Sequence, residues 1–276
     1  MTPEVAMVPQ TSLARLQWTL RDGWTVAWRD LSHWAHQPGQ VVASLIFPIV
    51  FILLFGYVFG SGMIPPEDGD YVDFLMAGLF AQTMAFGIGE TMVAVNTDAA
   101  RGITDRFRSL PMAQSAVVVG RSTADMFNSV AGLIVMIGCA LAIGWRAQNG
   151  IGDALLAVGL LLLLRFAFLW IGIYIGLVVK SPETIGAVWG LLFPVTMLTN
   201  AFVPPERMPP WLGAISEWNP ISSTVSATRE LFGNPGASAA GSWITENAML
   251  MAVVWPLLIV VVTLPLAVRR YQSLSR

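Results

Sequence analysis

Charged and apolar side chains alternate most regularly between positions 97 and 115, where the chain reads NTDAARGITDRFRSLPMAQS from Asn96. Asp98, Arg101, Asp105 and Arg108 stand three or four residues apart, so a helix here would carry them on one stripe where they can pair. Ile103, Phe107 and Leu110 form a second, apolar stripe, and Gly102 and Pro111 bracket the segment. A short helix with one greasy and one ionic edge suits a groove of a soluble partner. It equally suits the surface of a membrane, with its arginines held on one side of the bilayer. The spacing alone leaves both readings open.

Other reactive types are sparse. The only Lys-Ser pair is Lys180-Ser181, and Val179 stands where a phosphate-binding loop needs Gly. His33 and His36 are three apart, a metal-compatible spacing, but no nearby Cys or further His completes a site. They read as solvated or headgroup-facing. The single Cys139 excludes an internal disulfide and a Cys-based metal site. Gly-x-Ser-x-Gly and His-Glu-x-x-His motifs are absent. The chain is therefore expected to carry no metal and no cofactor, and not to be an enzyme by itself.

The elements that must hold these residues are apolar. Apolar types make up 55% of the 276 residues and charged types 12%, against about 25% charged in a soluble domain. Net charge is −2, which gives no argument for nucleic acid. Six candidate spans follow one another at about 40–61, 71–96, 116–143, 152–179, 184–203 and 246–268. About 20 helical residues cross the hydrocarbon layer, so most of these have residues to spare. With the N-terminus inside, eleven Arg and Lys residues fall on the inner side and three outside, Arg146, Arg207 and Arg229. Both termini are then cytoplasmic. About forty residues, several charged, precede the first span, which is unlike a cleavable signal.

Upstream, Leu13, Leu16, Leu20, Trp24, Ala27, Trp28, Leu31 and Trp34 recur at helical spacing over 12–37. This Trp-rich amphipathic helix suits the membrane surface, with packing on protein as the alternative. Between spans five and six, 204–245 carries Pro204-Pro205, Pro209-Pro210 and Asn219-Pro220. It reads as short half-helices dipping into the outer leaflet, then an amphipathic helix over about 221–232. The expected fold is thus an all-α integral membrane protein of six transmembrane helices. An amphipathic interfacial helix lies within 1–39, and an outer re-entrant segment lies within the 40–276 membrane domain.

Polar residues inside spans need partners. Arg165 lies near the middle of the fourth span, at a cost of roughly 2.5–3.5 kcal/mol on insertion scales. It must face the bundle or a wet cavity and find an acid, and Glu90 and Asp125 are the candidates. Such a group can act as a gate or substrate contact, or it can fix how the second, third and fourth helices pack. Gln82, Thr83, Phe86 and Glu90 in the second span, and Met197, Thr199, Asn200 and Phe202 near the fifth, offer a mixed aromatic, Met and polar lining. Such a lining suits a bulky amphipathic substrate, though the same types also pack helices in lipid.

The stretch from Arg101-Gly102-Ile103-Thr104-Asp105-Arg106-Phe107-Arg108 through Ser109-Leu110-Pro111-Met112 to Val119-Gly120-Arg121 resembles the inner loop of ABC-2 type permeases. The branch it is most similar to is actinobacterial and daunorubicin-resistance exporter-like. Phe193-Pro194, Phe202-Val203-Pro204, Met208-Pro209-Pro210-Trp211-Leu212, Asn219-Pro220 and Ala227-Thr228-Arg229-Glu230 resemble that family's outer re-entrant segment. Phe47-Pro48 at the entry to the first span also fits.

The resemblance implies a homodimer or heterodimer of permeases in the bacterial cytoplasmic membrane, joined to ATP-binding-cassette ATPase subunits that hold ATP and magnesium. It places the coupling to the ATPase on Asp98, Arg101, Gly102, Asp105, Arg106, Phe107, Arg108, Leu110 and Pro111, with a smaller contact at 180–183. It implies a pathway lined by the first, second and fifth helices, and export of a drug, antibiotic or lipid-like metabolite by alternating access. Export of a polysaccharide or lipid-linked glycan is the alternative. A membrane-embedded lipid-modifying enzyme is the competing class, and the spans supply few clustered His or acids for it.

Overall fold

The computed structural model describes residues 38–59, 71–100, 114–179, 181–234, 236 and 242–273. The surface helix expected over 12–37, residues 101–113 of the inner loop, and Lys180 lie outside the described residues. The described residues form helices and connecting turns, with no strand among them.

Helix α1 runs Pro38–Leu53 and continues as a π-helical turn, Leu54–Phe59. Helices α2 (Tyr71–Ala100), α3 (Gln114–Ala142), α4 (Gly150–Val178) and α5 (Pro182–Met197) follow. A 3-10 turn at Pro205–Arg207 leads to α6 (Pro210–Glu217) and α7 (Pro220–Phe232). The chain closes with α8 (Trp243–Glu246) and α9 (Ala248–Ser273). The boundaries lie within a few residues of the expected spans, except that α5 stops at Met197 and α9 runs on to Ser273.

Four helices are long and apolar enough to cross a bilayer: Tyr71–Ala100, Val119–Ala142, Gly150–Val178 and Ala248–Ser273. This is a multi-pass membrane protein. The 30 residues of α2 reach about 45 Å, well beyond the roughly 30 Å hydrocarbon layer.

The centre of the bundle is α2 against α4. Gly172 and Gly176, four apart on α4, bring the two backbones together. A Cβ on either would come within 2.8 Å of a carbonyl oxygen of α2, that of Ile88 or Met92. Such small-xxx-small contacts replace the hydrophobic drive that lipid does not supply. By contrast α9 presents Leu257, Leu258, Val261 and Val262 outward, as a helix solvated by lipid does.

Helix α7 departs from expectation. Its Ser and Thr content reads as amphipathic, yet every residue from Ile221 to Phe232 is buried except Glu230. The reason is enclosure by α2, α4 and α9. Its hydroxyls turn inward to backbone: Thr224 donates to the Pro220 carbonyl at 3.3 Å and Thr228 to the Thr224 carbonyl at 2.8 Å. Asn219 caps the helix, accepting from the Ile221 N–H at 3.0 Å. Gly233, at φ +69°, ends it in the left-handed conformation that glycine adopts without penalty.

Candidate functional site

Although α2 is the most enclosed of the four long spans, one stripe of it stays open. Thr83, Phe86, Glu90, Val93 and Thr97 are half-buried or exposed, and their spacing of three and four puts them on one face. Val93 is 52% exposed. Glu90 is exposed as well, one turn away from it. A carboxylate at this depth is costly against lipid, so this face calls for a wet cavity or a protein partner.

Beside that stripe lies a connected set of aromatic rings from α1 and its π-helical turn, α2, α5 and the turn after α5. Phe51 of α1 and Phe55 of the π-helical turn are 4.6 Å apart between centroids, and Phe202 packs on Phe55 at 4.9 Å. Phe51 reaches Phe86 of α2 at 6.1 Å. Phe86 stacks on Phe193 of α5 at 5.6 Å, and Trp189 stands 6.0 Å from it. Edge-to-face and offset rings at these distances attract beyond their area alone.

The expected lining residues divide. Thr83, Phe86 and Glu90 share the open stripe, and Phe202 joins the aromatic set. Met197 is half-buried in the last turn of α5. Gln82, Thr199 and Asn200 are buried. Asn200 faces α7, donating its N–H to the Ser222 hydroxyl at 3.1 Å and its side-chain amide to Ser226 at 2.7 Å. Thr199 accepts the Ala201 N–H at 3.3 Å.

Arg165 is 3% exposed and reaches α2 and α3 together. Its Nε donates to the Ser129 hydroxyl at 2.7 Å and its Nη2 to the Thr91 hydroxyl at 3.1 Å. Thr91 in turn donates to Asp125 at 3.1 Å. The link to Asp125 thus runs through a hydroxyl. Gly87 makes the room: a Cβ there would come 2.4 Å from the guanidinium carbon. Asp125 also faces Arg121 at 3.6 Å, and Arg121 donates to Asp98 near the end of α2. Asn96, one half-turn away, donates to the Val179 carbonyl at 2.6 Å and so satisfies an orphan group at the end of α4.

Of the residues expected to couple to the ATPase, only Asp98 is among those described. Arg101, Gly102, Asp105, Arg106, Phe107, Arg108, Leu110 and Pro111 lie outside them.

Sequence reasoning missed two arginines. Arg121 was counted only as an inner positive charge, and it bridges two helices. Arg229 was counted as an outer one, and it is 1% exposed. Its Nε donates to the Phe74 carbonyl at 3.0 Å and its Nη2 to the Ala201 carbonyl at 2.9 Å. Its guanidinium carbon lies 3.8 Å from the Phe74 ring centroid, a cation–π contact. The available signal is position: an arginine in the last turn of a helix whose preceding polar residues are all Ser or Thr.

Comparison with known proteins follows this geometry. The family model described as ABC-2 type transporter matches residues 21–232. The chain is 33% identical over 235 residues to the daunorubicin resistance ABC transporter permease protein DrrB1 of Streptomyces coeruleorubidus, covering 84% of this chain and 83% of that one. It is 22% identical over 245 residues to the probable doxorubicin resistance ABC transporter permease protein DrrC of Mycobacterium tuberculosis, covering 87% and 84%. It is 24% identical over 205 residues to the putative transport permease ycf38 of Pyropia yezoensis, covering 71% and 68%.

Proposed function

The chain belongs to the ABC-2 type transporter family, and from that premise we propose that it is the permease subunit of an ATP-driven exporter whose ATPase is a separate chain. In this reading α1 with its π-helical turn and α5 complete six spans, and both termini are cytoplasmic. The segment 204–245 dips into the outer leaflet, and α7 is its buried core. Residues 97–115 dock on the ATPase, which binds ATP and magnesium. Two permease copies, or this chain and a second permease, enclose the pathway in the bacterial cytoplasmic membrane.

The carrying observation is the open stripe of α2, with Glu90 exposed beside rings from α1, α2 and α5. Apolar rings and one carboxylate suit a hydrophobic or amphipathic small molecule with a polar or charged end. The resistance functions named for the relatives support a drug or antibiotic as cargo. Alternation between inward- and outward-facing states would follow from nucleotide-dependent contacts that differ between the two. The connected rings also favour a second reading, glycan export, because the C–H faces of sugars pack on aromatic rings.

The test is co-purification with the product of the neighbouring gene, followed by ATP-dependent uptake into inverted membrane vesicles. Daunorubicin and a lipid-linked glycan serve as the two probes. Vanadate-sensitive uptake of daunorubicin alone supports the first reading, and uptake of the glycan alone supports the second. A complex that lacks an ATPase overturns both.

A further inference from the structure

The bonds around Arg165 continue without a break to the end of α2 that precedes the inner loop. On α3, Arg121, Asp125 and Ser129 are four apart and face one way. Helix α2 contributes Thr91 and Asp98, and α4 contributes Arg165. The order along the chain of contacts is Asp98, Arg121, Asp125, Thr91 with Ser129, and Arg165. It extends about 12 Å, the rise of the eight residues from Arg121 to Ser129.

Two properties set this chain apart from packing. Its formal charges alternate, minus, plus, minus, plus, so a displacement at one end leaves the next charge without its partner unless that charge also moves. Arg121 has an acid on each of two helices, Asp98 on α2 and Asp125 on α3. A slide of one helix along the other trades one acid for the other. That is the kind of two-arrangement element that transmitted coupling requires. At the far end, Thr91 follows Glu90 directly in α2.

We propose that this alternating chain carries displacement of the Asp98 end of α2 to the open Glu90 stripe, with Arg121 and Thr91 as its positioning residues. The proposal rests on the exporter reading, in which the ATPase pushes on that end.

The experiment uses the permease co-expressed with its ATPase, in membranes. Cys139 is the only cysteine, so a Cys139→Ala background with Val93→Cys gives one reporter on the open stripe. Its labelling rate by a water-soluble maleimide is measured without nucleotide and after trapping with ATP, magnesium and vanadate. With the chain of contacts intact, the two rates should differ by about tenfold. Thr91→Val, nearly isosteric, and Arg121→Gln should each shrink the difference below about twofold, and Thr91→Ser should keep it. Thr91→Val is the decisive variant; because it also takes a partner from the Arg165 guanidinium and Asp125, its labelling is read per folded complex after melting and yield are checked. A full tenfold response in Thr91→Val overturns the proposal while leaving the exporter reading standing. No nucleotide-dependent difference in the intact reporter overturns the proposal, while the exporter reading falls only if vanadate-sensitive uptake is also absent.

Discussion

Among the described residues two arginines are buried almost completely, and they are held in opposite ways. Arg229 on α7 has its guanidinium on two backbone carbonyls and one aromatic face. Arg165 on α4 has its guanidinium on two side-chain hydroxyls, one of which donates to Asp125. Backbone carbonyls belong to helices and turns and cannot rotate away. Hydroxyls and carboxylates sit on rotatable side chains and can exchange partners. Arg229 therefore pins α7 to α2 and to the turn after α5. Arg165 is held by a set that can rearrange without unfolding anything. One region is a fastening, and the other is suited to transmit motion.

The largest expected effect breaks the fastening. Arg229→Ala removes the donor to the buried Ala201 carbonyl, at about 1–3 kcal/mol, and strips the Phe74 ring and its helical carbonyl of their guanidinium. A clear fall in melting temperature and in yield of folded complex should follow, with transport lost in proportion to protein. If Arg229→Ala melts like the parent, α7 is not pinned there.

Next in size is the effect of Glu90→Gln. The side chain is exposed, so melting should move by less than about 1 kcal/mol. Transport of a cationic probe such as daunorubicin should fall at least several-fold, and a neutral apolar probe should be carried as before. Equal transport of both probes would place the pathway elsewhere.

The smallest effect concerns Gly87. A Cβ there meets the far end of a flexible side chain rather than backbone. Gly87→Ala should cost less than about 1 kcal/mol of stability, yet shift the Arg165 guanidinium and weaken coupling. A large loss of stability would show that Arg165 is as rigidly held as Arg229.

The spans were legible in the sequence because hydropathy and helical rise are local properties. Helices α2, α3 and α4 begin and end within a few residues of what apolar runs dictate. The enclosure of α7 was not legible. Its Ser222, Ser223, Thr224, Ser226 and Thr228 carry no apolar signal, and its neighbours α2 and α4 come from far earlier in the chain. For the same reason Arg229, expected on the outer side within an amphipathic helix over about 221–232, gives no sign in the sequence that it is buried. Around the inner loop, spacing exposes only pairs three or four residues apart, such as Asp98 with Arg101. The partner found for Asp98 is Arg121, twenty-three residues on, across a helix boundary. Arg165 was legible as a charge that needed company, since its cost in lipid follows from its position. That a threonine hydroxyl would stand between it and Asp125 required the packed structure.

The separation of the two arginines is tested most directly by measuring ATP hydrolysis and daunorubicin transport together, per folded complex, in Arg165→Gln. Gln preserves a hydrogen-bond donor and removes the charge, and Arg121 remains to face Asp125. The expected result is a complex that, per folded molecule, hydrolyses ATP and no longer transports, with some fall in melting because a buried hydrogen-bonded charge is lost. Transport per ATP equal to that of the parent would contradict the account.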